Sequence, residues 1–554
     1  MKNIFKPKIL DSMKGYGPRQ LVSDIVAGLI VAIIALPLSI ALAIASGVSP
    51  ERGIYTAIVA GFVIALLGGS RVNISGPTAA FATIVAGIVF NFGLNGLVIA
   101  TLMAGVLLIL MGLLRFGSLI KYIPCTITTG FTSGIAVTIL IGQLKDFFGL
   151  TFAAGTHAVE TTEKLAAVAK SFSTLNPWAL LVGGIGLLIL IVWPKLGKIG
   201  KKVPGSLIAV LVGTAAVKLL GLEVNTIGDL YTISGSLPAF SVPIFDLDLV
   251  IKLIPSAFTI AILAGIESLL SCVVSDGMIN DKHNSNTELI AQGVGNICSG
   301  LFGGIPATGA IARTAANVKN GGRSPISGMV HAVILLLILV VLMPYAAWIP
   351  MPIIAAILFM VAYNMCEWRE FVKLCKTAPL TDIIVLVATF VLTVVFDLVV
   401  AIAVGMVLAV VFFMKRMADN TKMRVWSKAD ENEDSDLKSV PDGVMVYEID
   451  GPMFFASADK FAALPTEEDT RVIILRMHDV PAIDATATRN LFSIVKNCKA
   501  KGITLLLDHV NEQPKKVMRR AGLLDIIGEE NILSNINAAL AKAEELASQT
   551  LGIN

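Results

Sequence analysis

Charge is scarce in this 554-residue sequence: Asp, Glu, Lys and Arg together make up 15%, against 55% hydrophobic residues. A soluble globule of this length needs more polar surface than that, and the long uncharged runs place the chain among polytopic membrane proteins. Histidine is limited to five positions and cysteine to six. The cysteines (Cys125, Cys272, Cys298, Cys366, Cys375, Cys498) show no CxxC spacing and no pairing with histidine. They read as small apolar packing residues, and neither a disulfide frame nor a zinc site is expected. His157, His283 and His331 are isolated and read as loop or packing residues. There is no P-loop, no metal-ligand spacing and no nucleophile elbow. ATP-driven pumping and enzymatic chemistry therefore have no support, and no cofactor or metal is expected. The net charge of +3 resides mostly in loops and does not point to nucleic acid. The N-terminus, KNIFKPKILDSMKGYGPRQ, is basic but polar throughout, so it is not expected to be a cleaved signal peptide.

What is present is a pair of stretches that echo each other. Residues 68–83 read GGSRVNISGPTAAFAT, and residues 303–314 read GGIPATGAIART. Each follows a Leu-x-Gly-Gly run-up, breaks an apolar region with Gly and Pro, and resumes as a short segment of small residues. Matched interruptions of this kind in the two halves of a membrane protein point to a transporter's binding site.

About fourteen spans are expected, including short or broken ones. They lie within 25–45, 54–67, 78–90, 97–114, 126–141, 178–193, 207–220, 254–274, 289–302, 310–318, 326–342, 353–363, 383–396 and 399–413. Pro37, inside the first, should kink or break it. Positive residues then set the orientation. The basic head (Lys2, Lys6, Lys8, Lys14, Arg19) and the loops carrying Arg71, Arg115 and Lys121, Lys195 to Lys202, Lys319 and Arg323, and Arg369 to Lys376 fall inside. The connections at 91–96 and 344–352 carry no Lys or Arg and fall outside. Asp397 reads as a turn residue near the outer interface. An odd number of spans per half makes the halves inverted repeats of about seven each, so the two broken stretches approach the midplane from opposite sides. The expected boundaries are an N-terminal segment 1–20, a transport domain 21–416 (repeats at about 21–221 and 250–416), a linker 417–441 with the charged run ADENEDSD, and a soluble α/β unit 442–554. In that unit 444–449, 472–475 and 503–507 read as strands, and 485–498, 514–521 and 531–547 as helices.

Half-helices starting near Thr78 and Gly309 would aim free backbone N–H groups at the space between them, an arrangement that binds anions. Thr78, Ala79 and Ala80 on one side, and Gly309, Ala310, Ile311 and Ala312 on the other, leave room for a ligand to approach the backbone. The same small residues would also permit close helix packing. Arg313 either supplies positive charge to an anion, snorkels to the inner surface, or repels cations. Glu267 is the one ionisable residue within 258–274. It reads as a proton- or cation-coupling group, or as a structural partner of the opposite repeat, with Ser271 one turn on and on the same face.

These residues resemble the sulfate permease (SulP) family, bacterial relatives of the solute carrier 26 anion transporters. The resemblance runs end to end: DIVAGLIVAIIALPLSIALAIASG, LLGGSRVNISGPTAA, GFTSGIAVTILIGQLKDFFG, SNTELIAQGVGNICSGLFGGIPATGAIARTAANVKNGG, and a C-terminal unit similar to a STAS domain, with VPAIDATAT at a loop-to-helix junction. It implies an α-helical membrane fold of seven-plus-seven inverted repeats divided into core and gate, a homodimer, and an elevator-like motion. It also implies an anion held between the third and tenth spans with help from the first and eighth. By position this carries over to Pro37–Leu42 (Leu38 and Leu42 in particular), Thr78–Ala80, Glu267, Ser271 and Ala310–Arg313. Two departures stand out. Leu38 occupies a place where relatives often have Gln, and Ile311 one where sodium-coupled bicarbonate members have Thr. Proton coupling through Glu267, or exchange, is then favoured over sodium. Thr486 matches the phosphorylated position of soluble STAS proteins, and reads either as that or as a helix N-terminal cap.

The expectation is a secondary transporter of small anions (sulfate, bicarbonate or a C4-dicarboxylate) in the plasma membrane of a bacterium, with N-terminus and STAS unit cytoplasmic. Its partners would be the anion, a proton, the lipid bilayer, a second copy, and a cytoplasmic protein through the STAS unit. Alternatives are a sodium-coupled bicarbonate transporter, an anion channel, a membrane-anchored signalling scaffold, or a nucleobase permease, against which the STAS unit and Arg313 argue.

Overall fold

Apolar runs that must cross a hydrocarbon layer of ~30 Å become helices, because only an internally bonded helix satisfies every backbone N–H and C=O there. The computed structural model describes residues 5–118, 123–153, 158, 160–197, 203–396, 398–426, 440–461 and 464–549. Lys2, Lys121, His157, Lys198, Lys201, Lys202, Asp397 and the ADENEDSD run lie outside them. The main helices are α1 (Pro18–Ala45), α2 (Pro50–Leu67), α3 (Ala82–Leu113), α4 (Cys125–Phe148), α5 (Pro177–Val192), α6 (Gly205–Leu220), α7 (Leu247–Ile279), α8 (Ser285–Leu301), α9 (Ile311–Lys319), α10 (Ile326–Ala346), α11 (Met351–Cys366), α12 (Leu380–Val395) and α13 (Leu398–Asn420). Proline opens α1, α2 and α5, where its missing N–H would have had no intrahelical partner.

Each expected span overlaps one of these helices, and among the described residues nine helices are long and apolar enough to cross a membrane. Two details differ from expectation. α1 continues through Pro37 as one helix, its lost hydrogen bond being tolerated where the flanking residues are buried against neighbouring helices. The third and fourth spans are not separated by a loop at 91–96. Gly93, with φ 66°, supplies the whole break inside Ala82–Leu113, a conformation that side chains other than glycine's resist.

The chain divides into two compact units, Met1–Met406 and Val407–Asn554. In the first, α3 packs on α7 and α8, α10 on α1 and α2, and α9 on α1 and α7, forming one group of helices. A second group joins α4 to α11 and α12, and α5 to α6 and α11. Each group mixes helices from both halves of the sequence, which is how interleaved inverted repeats assemble.

The first unit holds two short strands, β1 (Ser75–Gly76) and β2 (Thr308–Gly309), and the second unit is a five-stranded sheet. Besides β3 (Lys422–Trp426) it comprises β4 (Val444–Asp450), β5 (Val472–Asp479), β6 (Thr504–Asp508) and β7 (Ile532–Leu533), in the order β3-β4-β5-β6-β7. β3 runs antiparallel to β4 and the remaining pairs are parallel. Alternate strand residues serve opposite faces. Tyr447, Ile473, Leu475 and Leu507 pack toward α14 (Ala485–Ala500) and α15 (Glu512–Arg520), through Leu491 and Met518. Val446, Ile474 and Leu506 pack on α16 (Ile536–Gln549) through Ala539 and Leu540. Two expectations are corrected. The strand β3 occupies part of the supposed linker, and the helix expected from 531 begins only at Ile536, because Ile532–Leu533 joins the sheet edge beside β6.

Candidate functional site

The two broken stretches meet. Just before the third span, Ser75–Gly76 forms a short strand that pairs antiparallel with Thr308–Gly309, Ser75 opposite Gly309 and Gly76 opposite Thr308. Ala310 N donates to Ile74 O at 2.8 Å, extending the ladder by one residue. From this junction the chain enters the 3-10 turn Ala79–Phe81 that leads into α3, and on the other side it enters α9. Two helix N-termini, one from each half, therefore start from a shared two-stranded clasp. The first-turn N–H groups of a helix lack intrahelical partners and carry partial positive charge.

Around the clasp the expected residues fall as follows. Thr78 is half-buried and its hydroxyl donates to Glu267 Oε2 at 3.1 Å. Ala79 and Ala80 are buried; Ala310 is half-buried, and Ile311 and Ala312 are exposed. Leu38 is half-buried and Leu42 buried on α1. Arg313 is buried, and its Nη2 donates to Pro77 O, so this arginine of the second half holds the proline of the first. Its Nη1 lies against Gly76, where an added Cβ would sit 2.6 Å away. Snorkelling of Arg313 to a membrane surface does not fit that burial. The clasp thus brings together Thr78, Glu267, Gly309 and Arg313.

Ser271 takes a different place. Its hydroxyl is fully buried, donates to Asn73 Oδ1 at 2.7 Å and lies 3.1 Å from Thr314 Oγ1, inside a network beside the clasp. That network is what sequence reasoning missed: Asn73, Ser268, Glu288, Gln292, Asn296, Thr308, Thr314 and Asn317 are all buried. Thr314 Oγ1 accepts from Ile74 N at 3.0 Å, and Asn317 Nδ2 donates to Val72 O at 2.9 Å. Gln292 Nε2 donates to Ser75 Oγ at 3.0 Å, and Asn296 brackets Ala307, donating to its O and accepting from its N. Gln292 and Asn296, four apart in the otherwise apolar stretch 289–298, were the available signal. Buried amides are retained where their hydrogen bonds are met.

In the second unit Thr486 lies half-buried in the first turn of α14. The cap is Asp484, whose carboxylate accepts from Ala487 N and from Phe455 N, both at 2.8 Å. Elsewhere on the sheet, burial pushes the Asp508 carboxyl above its usual range, partly offset by Arg476.

Comparisons with known proteins show the family. Residues 21–389 match the family model described as the sulfate permease family, and residues 437–543 match that of the STAS domain. The Bacillus subtilis protein named "Putative sulfate transporter YvdB" is 41% identical over 94% of this chain and 98% of its own length. The bicarbonate transporter BicA of a Synechocystis species is 30% identical over 95% of this chain and 94% of its own. Murine solute carrier 26 family member A9, an anion transporter solved in the inward-facing state, shares the fold with a TM-score of 0.88 at 17% identity, covering 97% of this chain and 94% of that one. The transmembrane domain of a cyanobacterial BicA matches with a TM-score of 0.61 at 30% identity, over 71% of this chain and 98% of that one. The chain belongs to the sulfate permease family of membrane transporters and carries a C-terminal STAS domain.

Proposed function

We propose that this protein is a secondary transporter of small anions (sulfate, bicarbonate or a C4-dicarboxylate), working by proton-coupled symport or by anion exchange. The observation that carries the reading is the clasp: two opposed helix N-termini, joined at Ser75–Gly76 and Thr308–Gly309, with the Arg313 guanidinium beside them. The substrate is held by backbone N–H groups of Ala79, Ala80, Ile311 and Ala312, that of Ala310 being given to Ile74 O, with Thr78 lining the same space and Leu38 and Leu42 closing its apolar side. The group containing α1, α3, α7 and α9 carries the anion past the group containing α4, α5, α11 and α12, an elevator-like step.

Glu267 couples the proton. Its carboxylate accepts from Thr78, the residue that starts the third span, so its charge lies close to the bound anion. Two like charges about 6 Å apart at an effective dielectric of ~20 repel by roughly 3 kcal/mol. Protonating Glu267 removes that repulsion, so proton and anion favour each other's binding, and the coupling is reciprocal. The 30% identity to bicarbonate transporters supports bicarbonate as a candidate substrate. Ile311, at the start of α9, has no side-chain oxygen to offer a sodium ion, which argues against the sodium-coupled form. By the placement of Lys and Arg, the N-terminus and the STAS domain face the cytoplasm; the membrane we propose is the plasma membrane. The protein works as a homodimer, with the STAS domain recruiting a cytoplasmic partner and Thr486 as its phosphorylation position.

The test is uptake of labelled sulfate, bicarbonate and fumarate by proteoliposomes under imposed pH and sodium gradients, with the wild type and Glu267→Gln. The wild type should respond to the pH gradient and Glu267→Gln should not. Equal, equally pH-dependent uptake by both would refute the coupling role.

A further inference from the structure

We propose that Glu288 is a positioning residue for transport: a buried carboxylate that orients Asn73 and, through it, the two helix ends. The inference rests on the reading that those ends hold the anion.

Glu288 is fully buried near the start of α8 and accepts hydrogen bonds on both oxygens. Oε2 accepts from Gly69 N at 2.9 Å. Oε1 accepts from Asn73 Nδ2 at 2.8 Å, from Ser268 Oγ at 3.1 Å and from Gln292 Nε2 at 3.1 Å. All four partners are donors and none is charged. The nearby cations Lys8 and Arg71 bind Asp281 instead, each at 3.0 Å, and among the described residues no salt bridge joins Glu288. Four donors converge from the loop after α2, from α7 and from α8, so one side chain ties both halves of the sequence together.

The consequence lies in direction. A carboxylate has no donor to offer, so it admits only the N–H side of the Asn73 amide. Asn73 Oδ1 must then face the other way, where Ser271 and Thr314 donate to it at 2.7 and 3.1 Å. Thr314 stands in the first turns of α9, and its oxygen also receives Ile74 N, one residue before the clasp. Glu288 thus selects one of two Asn73 orientations, and that choice reaches the root of α9 and the strand leading to the third span. The opposite orientation would set Oδ1 against the carboxylate and the amide N–H groups against the two hydroxyls. A glutamine at 288 lifts the selection, because its own amide turns either way and leaves Gly69 N or Asn73 Nδ2 facing a donor.

The experiment compares full-length wild type, Glu288→Gln, Glu288→Asp and Ser268→Ala in proteoliposomes. It measures concentration-dependent uptake of sulfate, bicarbonate and fumarate together with backbone hydrogen exchange over 69–76 and 308–314. Glu288→Gln should raise the half-saturating anion concentration by about 10-fold while the maximal rate per folded transporter changes little, the size expected for misdirecting one buried hydrogen-bonded set. Exchange should accelerate in both segments, and Glu288→Asp, which keeps the acceptor-only group, should restore both measures in part. Ser268→Ala removes one donor without touching the carboxylate and should shift the half-saturation in the same direction by less, which keeps the test valid if Glu288→Gln does not fold. Unchanged half-saturation in both Glu288→Gln and Ser268→Ala, or faster exchange confined to 69–76, would overturn the proposal. If the wild type takes up none of the three anions yet exchange in both segments still follows Glu288, the transport reading fails and the positioning role stands.

Discussion

Gly76→Ala places a methyl carbon 2.6 Å from Arg313 Nη1 and 3.6 Å from Ala57 Cα. Ordinary contact begins near 3.4 Å, so the guanidinium must retreat by roughly 0.8 Å, or the strand must bend away from α2. Either movement disturbs the Arg313–Pro77 hydrogen bond and lifts the positive charge off the clasp. Overpacking of this kind costs about 1–3 kcal/mol, which corresponds to a 5- to 150-fold weaker anion affinity if the whole cost falls on the site. The assay is the concentration dependence of uptake in proteoliposomes, for whichever of sulfate, bicarbonate or fumarate the wild type carries. Gly87→Ala is the internal control: the same substitution, in the helix that follows, where an added Cβ meets nothing within 4 Å. The account predicts a raised half-saturation for Gly76→Ala and none for Gly87→Ala. Equal, wild-type behaviour of both would refute the idea that the Arg313–Gly76 contact shapes the site.

Further outcomes follow from the same geometry. Arg313→Met keeps most of the length and removes the charge, so uptake should fall by about 10-fold or more while the folded yield drops less, as judged by size-exclusion profile. Asp484→Ala removes the α14 cap, and calorimetry should show the STAS unit's melting temperature lower by roughly 4–8 °C, for a loss of about 1 kcal/mol. The raised carboxyl of Asp508 means that the folded STAS unit holds this proton more tightly than the unfolded chain, so the group's contribution to stability is present at low pH and lost as pH rises through the folded value. Asp508→Asn should remove that dependence, giving a melting-temperature gain over wild type at neutral pH that shrinks on acidification.

Much of this fold is legible in the sequence. Long apolar runs can satisfy their backbones only as helices, so the spans follow from composition, and the Gly/Pro interruptions mark the clasp because each half carries the same Leu-x-Gly-Gly run-up and Pro break. Other parts were not readable, for identifiable reasons. Glu288 lies one residue before the apolar run of its helix and looks like a loop residue until Gly69, Asn73 and Ser268 are brought to it by distant segments. Ser271 shares a helix face with Glu267 in sequence terms, but the hydroxyl is claimed by Asn73 and Thr314. Lys422–Trp426 is a short basic edge strand, and its pairing with β4 is a tertiary fact that local pattern does not carry. The one-residue break at Gly93 looks like a loop in the sequence because a single left-handed glycine does the work of a turn.

The central claim is that an anion binds at the joined helix ends, and Ile311, exposed at the start of α9, gives direct access to it. The measurement is the rate of alkylation of Ile311→Cys in membranes, corrected for the wild-type rate, as a function of the transported anion's concentration in gluconate buffer. The account predicts that the rate falls with the same half-saturating concentration that governs uptake by that variant. An alkylation rate unchanged at concentrations that saturate uptake would contradict it.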